Sequence, residues 1–219
     1  WGSFMAWTAD ITPHVTPGQD ALVVLEVDDR PIGLAKFVRG GGIQKDVKLY
    51  ALPKNYIARF GVETDLDAAY RDASLRVRLK VAFNGGDKAR VRLTLRDAEG
   101  KVVALRSDTV TLTRRAGEQV VIFPVTNPKK WDAEHPNLYS LEATVLDDKG
   151  AAAETVRRSI GFREVEVRGN RFFVNGAEVK LRGVWGGSVP YVKSANANHT
   201  RQLWATDALL DEADRAGLY

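Results

Sequence analysis

Residues 75–83 read Leu-Arg-Val-Arg-Leu-Lys-Val-Ala-Phe. A period of two over that length suits only an extended chain with one face buried and the other in water. The same period returns in Val91-Arg92-Leu93-Thr94-Leu95, and Asp97-Ala98-Glu99-Gly100 then turns the chain into Lys101-Val102-Val103-Ala104-Leu105, which predicts a hairpin. Further strands are expected at residues 110–112, 119–125, 138–146 and 154–160, the last two joined by Asp147-Asp148-Lys149-Gly150. About seven strands in roughly 105 residues specify an immunoglobulin-like sandwich.

That alternation also accounts for the charge. The net charge of +4 comes from Lys and Arg placed at every second position of strands, which is the pattern of a solvated sheet face. Nucleic-acid binding calls for a clustered basic patch or aromatics spaced for stacking, and the adjacent basic pairs here are short: Arg114-Arg115, Lys129-Lys130 and Arg157-Arg158. No nucleic-acid partner is expected. No stretch approaches the run of about 18 apolar residues of a membrane helix, so no membrane partner is expected either. With no cysteine, disulfides and thiolate metal sites are excluded, and either a reducing or an oxidising compartment is compatible.

Ahead of the sandwich, Thr16-Pro17-Gly18-Gln19-Asp20 has turn chemistry, and the apolar run Ala21-Leu22-Val23-Val24-Leu25-Glu26-Val27 predicts a buried strand. Gly40-Gly41-Gly42 reads as a turn in preference to a close backbone approach, because no strand-to-helix phosphate loop follows it. Pro53 marks a domain boundary. Behind the sandwich, two hairpins are expected around Arg168-Gly169-Asn170 and Asn175-Gly176, the second with a turn that tolerates positive φ. The period then changes: Leu209, Leu210, Ala213 and Ala216 fall three to four apart, with Asp207 as the expected cap and Gly217 as the stop of a helix. A strand, a loop and a helix after an all-β region make the opening of an α/β domain.

Several segments, in order, resemble glycoside hydrolase family 2, the β-galactosidase, β-glucuronidase and β-mannosidase group. Ala9-Asp10-Ile11-Thr12-Pro13-His14-Val15, Pro17-Gly18 and the run at 22–27 resemble the end of its jelly-roll domain, and Gly41-Gly42-Ile43-Gln44-Lys45-Asp46-Val47-Lys48-Leu49 resembles that domain's last strand. Trp131 with His135-Pro136-Asn137-Leu138-Tyr139 is similar to the cluster of the immunoglobulin-like domain. Gly161-Phe162-Arg163, Phe173-Val174-Asn175-Gly176 and Lys180-Leu181-Arg182-Gly183-Val184 resemble the bridge into the barrel. Asn198-His199-Thr200-Arg201 and residues 210–219 look like the second barrel strand and its helix.

The resemblance implies a mainly β chain in three parts: a jelly-roll remainder at 1–54, an immunoglobulin-like β-sandwich at 55–162, and a bridge with the incomplete start of a (β/α)8 TIM barrel at 163–219. It implies a retaining β-glycosidase, in which one Glu is the acid/base and a second, about 5 Å away, the nucleophile. Those glutamates belong to later barrel strands, whereas the matched segment stops at Tyr219, so the chain is expected to supply accessory domains, to carry no catalytic residue and to be inactive alone. Between Val184 and Asn198 the family has a longer stretch with the first barrel helix, and here residues 185–197 connect them. The alternative reading is a non-catalytic carbohydrate-binding or structural immunoglobulin-like module.

By position in the family, Trp185 could stack on a sugar or, in preference, is a core or interdomain tryptophan; Arg201 either lies near the nucleophile and holds it ionised or is a surface arginine; and Asn198 binds substrate or, in preference, bonds the end of its strand. Trp131 and Tyr139 are expected to pack. His135 and His199 lie in no nucleophile or HExxH pattern, so neither a cofactor nor a metal site is expected. The partner implied is a carbohydrate, and homo-oligomeric assembly is compatible with the resemblance.

Overall fold

A computed structural model describes residues 7–26, 42–43, 46–103, 105, 108–202 and 205–219. The chain divides into two units, before and after Tyr50. In the first, a 3-10 helix spans Thr12–His14, with the Asp10 carboxylate accepting from the Thr12 N–H at 2.9 Å, and the next turn closes through the Gln19 N–H donating to the Thr16 carbonyl at 3.1 Å, with Gly18 inside it at φ +82°. The strand expected at 21–27 is not formed over its described part, 21–26: Leu22 and Val24 are 91% and 78% exposed. An apolar run becomes a strand only when a neighbouring ladder takes up its N–H and C=O groups, and the described residues of this unit provide none. Residues 46–50 likewise form no strand. Gly40 and Gly41 lie outside the described residues.

The second unit begins with the sandwich. One sheet holds β1 (Asn55–Leu66), β2 (Ala73–Phe83) and β6 (Gln119–Val125); the other holds β3 (Lys88–Arg96), β7 (Tyr139–Leu146) and β8 (Ala152–Ile160), with β4 (Val102–Val103) and β5 (Thr109–Thr113) both pairing with β3. Every ladder among them is antiparallel. Burial follows the alternation read from sequence: Leu75, Val77 and Leu79 of β2 face Val91, Leu93, Leu95, Leu141 and Ala143 in one core, and all are essentially inaccessible. Each such leucine contributes about 1.5–3 kcal/mol relative to its exposed state.

Two turns share one chemistry. Asp97 Oδ1 accepts from the N–H groups of Glu99 and Lys101, and Asp147 Oδ1 from those of Lys149 and Ala151, while Gly100 (φ +81°) and Gly150 (φ +84°) occupy the left-handed position that closes each hairpin. Alternation failed to reveal β1, which is twelve residues long. Its register shifts between Ile57 and Arg59, which breaks the period, and Gly61 interrupts the outer face. The Ile57 N–H freed at this bulge is satisfied by the Glu154 carboxylate of β8 at 2.7 Å.

β9 (Val165–Arg168), β10 (Arg171–Val174) and β11 (Ala177–Glu178) form the two expected hairpins, with Asn175 at φ +50° and Gly176 at +78° in the second turn. Tyr70 of the β1–β2 turn lies over that turn, and a Cβ on Gly176 would come within 2.5 Å of its ring. The Tyr70 hydroxyl donates to Glu166 at 2.6 Å, and this bond, with Arg168 adding its charge, holds the Glu166 carboxyl below the usual range.

The last segment is β12 (Gly183–Trp185), α1 (Val189–Ser194), β13 (His199–Arg201) and α2 (Asp207–Ala216). β12 and β13 pair in parallel, and Val189, Val192, Ala197 and Leu218 form a small second core. α1 was not anticipated because six residues are too few to display a helical period. For α2 the cap is Thr206, whose hydroxyl accepts from the Leu209 N–H at 3.2 Å; Asp207 is the first helical residue, where its charge suits the helix dipole. Thr206→Ala is therefore expected to cost about 1 kcal/mol, measured by chemical denaturation, and Asp207→Asn only a few tenths. Gly217, at φ +70°, ends the helix as expected.

Candidate functional site at the carboxyl ends of β12 and β13

The register of the parallel pair sets Gly183 beside His199, Val184 beside Thr200 and Trp185 beside Arg201. Gly183 permits the close approach, since a Cβ there would stand 2.7 Å from His199 Nδ1. At the carboxyl ends the chain leaves β12 through Gly186 (φ +66°) and Gly187 (φ +91°), and a side chain at Gly187 would collide with Tyr191. β13 holds this loop: Gly186 N–H donates to the Arg201 carbonyl at 2.9 Å, Thr200 Oγ1 to the Gly186 carbonyl at 3.1 Å, and Gln202 Nε2 to the Gly187 carbonyl at 2.8 Å.

Trp185 and Arg201 are thus brought together. The guanidinium carbon stands 4.5 Å from the indole centroid, and Trp185 is 65% exposed. Cation–π attraction at an exposed site is worth about 0.5–1 kcal/mol, enough to bias the arginine rotamer. Arg201 makes no ion pair among the described residues. An open indole face beside five N–H donors suits a ligand with an apolar C–H face and polar substituents at its edge.

Asn198 does not join them. It precedes β13, at the opposite end from Trp185 and Arg201, and its amide is spent on backbone: Nδ2 donates to the Lys180 carbonyl at 3.0 Å and Oδ1 accepts from Arg182 N–H at 2.8 Å. Its carbonyl accepts from Tyr219 N–H at 2.9 Å, and the Tyr219 carbonyl accepts from Thr200 N–H at 3.4 Å, so Tyr219 occupies a parallel ladder position beside β13. Tyr191 (58% exposed) and Gln202 were not singled out from sequence; with α1 unforeseen, nothing in the residue pattern placed them next to the Gly186-Gly187 loop. His135 points to Asp132, Nδ1 to Oδ1 3.2 Å, and is largely exposed. Among the described residues no cluster of three His, Cys, Asp or Glu side chains could hold a metal ion.

The family model for glycosyl hydrolases family 2 matches residues 55–163, the whole sandwich. A β-galactosidase of Halalkalibacterium halodurans is 32% identical over 186 residues, covering 83% of this chain and 18% of the relative. This chain belongs to glycoside hydrolase family 2. A second relative, a β-galactosidase of Aeromonas hydrophila, is 32% identical over 182 residues, covering 80% of this chain and 18% of its own length. Among solved structures, Parabacteroides merdae β-glucuronidase superposes with a TM-score of 0.66 at 24% identity, over 76% of this chain and 24% of that one, which speaks to the fold. The family 2 chain described here spans about a fifth of the length of the curated relatives it matches.

Proposed function

We propose that this chain is the accessory sandwich and barrel opening of a retaining β-glycosidase acting on β-linked sugars, and that the 219-residue chain alone hydrolyses none of them. In this reading residues 1–54 are jelly-roll remainder, 55–162 the sandwich and 163–219 the bridge and barrel start. The observation that carries it is the pairing of Trp185 with Arg201 at the carboxyl ends of parallel strands, the face on which (β/α)8 sites are built. The open face of Trp185 would receive the C–H side of a pyranose, and Arg201 would hold a carboxylate ionised or donate to a sugar hydroxyl. Asn198 would serve this site by holding the foot of β13.

The expected inactivity rests on the chemistry of retaining hydrolysis. Retaining hydrolysis uses two carboxyl groups about 5 Å apart across the scissile bond. The carboxyl ends of β12 and β13 carry Trp185-Gly186-Gly187 and Arg201-Gln202, none of them acidic. Purified chain incubated with 4-nitrophenyl β-D-galactoside or β-D-glucuronide is expected to release nitrophenol no faster than buffer. Turnover that disappears when a carboxylate of this chain is substituted would overturn the reading.

A further inference from the structure

A concave site lies away from β12 and β13. Where the sandwich meets α2, a cleft of about 210 Å³ opens, with Thr64, Trp131, Ser159, Arg163 and Asp214 in its lining. Arg163 lies over the Trp131 ring, Cζ 4.7 Å from its centroid. Neither the Arg163 guanidinium nor the Asp214 carboxylate has a hydrogen-bond or ion-pair partner among the described residues, although the Asp214 backbone carbonyl accepts from Trp131 Nε1 at 2.8 Å. Burial raises the Asp214 carboxyl above its usual range, Arg163 opposes that rise and Asp211 adds to it. A carboxylate and a guanidinium held in one cleft without bonding each other leave a set of acceptors and a set of donors unused.

The lining selects by charge. An anion drawn to Arg163 meets Asp214, and a cation drawn to Asp214 meets Arg163, so the favoured occupant is neutral and carries both donors and acceptors. Thr64 Oγ1 donates to the Gly161 carbonyl at 3.1 Å and is left as an acceptor, while Val62, Leu138 and Ile160 supply apolar wall for C–H groups. We propose that this cleft is a secondary binding site for a small neutral polyol no larger than a monosaccharide, with Arg163 donating to hydroxyl oxygens and Asp214 accepting from hydroxyl protons. The site stands apart from the reading of Trp185 and Arg201 and survives the failure of that reading.

The test is a titration of the full 219-residue chain, labelled with ¹⁵N, by methyl β-D-galactopyranoside and by glycerol. Saturable shifts are expected at Gly161, Arg163, Asp214 and the Trp131 indole N–H. Asp214→Asn should weaken binding about tenfold, as loss of one charge-assisted bond does. Arg163→Lys keeps the charge over Trp131 but loses the fork, and should weaken it comparably. Trp185→Ala should leave these shifts in place. Shifts that climb linearly without saturation, or equal saturable shifts with sodium acetate, would overturn the proposal.

Discussion

Trp131→Ala is expected to lower the unfolding free energy by about 3–5 kcal/mol, read from urea denaturation, and to strip hydrogen-exchange protection from α2 and β13 before the sandwich. Trp131 is 1% exposed, its N–H is satisfied by the Asp214 carbonyl, and it meets the Tyr219 ring edge-on at 5.6 Å. Its backbone joins the corner to the bridge: its N–H donates to Phe162 and its carbonyl accepts from Asn175 Nδ2. The cavity left by alanine would open between the sandwich and α2, where Gly161 already packs so closely that a Cβ would stand 2.7 Å from Trp131 Cβ. Trp131→Phe should cost less, about 1–3 kcal/mol, mostly from the orphaned Asp214 carbonyl. A loss below about 1 kcal/mol for the alanine variant would mean that this corner does not bind the two regions together.

Gly217→Ala is expected to cost about 2–4 kcal/mol, more than a left-handed alanine does by itself. Gly217 closes α2 at φ +70°, and a Cβ there would lie 2.3 Å from the Ala133 carbonyl oxygen, a backbone atom fixed by the turn that Asp132 Oδ1 organises through the N–H groups of Glu134 and His135. The same loop receives the Tyr219 hydroxyl, which accepts from Ala133 N–H at 3.3 Å. Gly169→Ala is the control: its φ is +63°, yet nothing lies within 4 Å of its added Cβ, so only the conformational cost of about 1–2 kcal/mol should appear. Equal losses for the two variants would refute the close contact between α2 and the sandwich loop.

These two substitutions act at one junction. Trp131, Ala133, Asp214, Gly217 and Tyr219 bring a loop of the sandwich, the end of α2 and the ladder position beside β13 into contact. The sandwich therefore positions the backbone that leads into the strand edge, several residues from Trp185 and Arg201. That is a physical means by which the sandwich fixes the backbone beside β13.

What the sequence determined by itself was the set of features written in local pattern. Alternation placed the core strands 75–83, 91–95, 119–125, 138–146 and 154–160, because a side chain's face in a strand depends only on its parity. Turn chemistry placed the Asp97 and Asp147 hairpins and the Asn175-Gly176 turn, since those residues carry their own hydrogen bonds and backbone freedom. Family resemblance put Trp185, Arg201 and Asn198 forward as separate candidates, and only the parallel register of β12 and β13 sets the first two side by side. What only the tertiary structure decided depends on partners remote in the chain. β1 forms because β2 and Glu154 accept its irregular backbone, whereas the more apolar run at 21–26 has no ladder among the described residues and forms no strand. Thr206 takes the cap from Asp207 through the phase of the helix, Asn198 is consumed by Lys180 and Arg182, and Arg163 meets Asp214 in one cleft because Trp131 fills the corner between them. Parity and turn chemistry are local, but satisfaction of a backbone group or a buried charge depends on whatever the fold brings beside it.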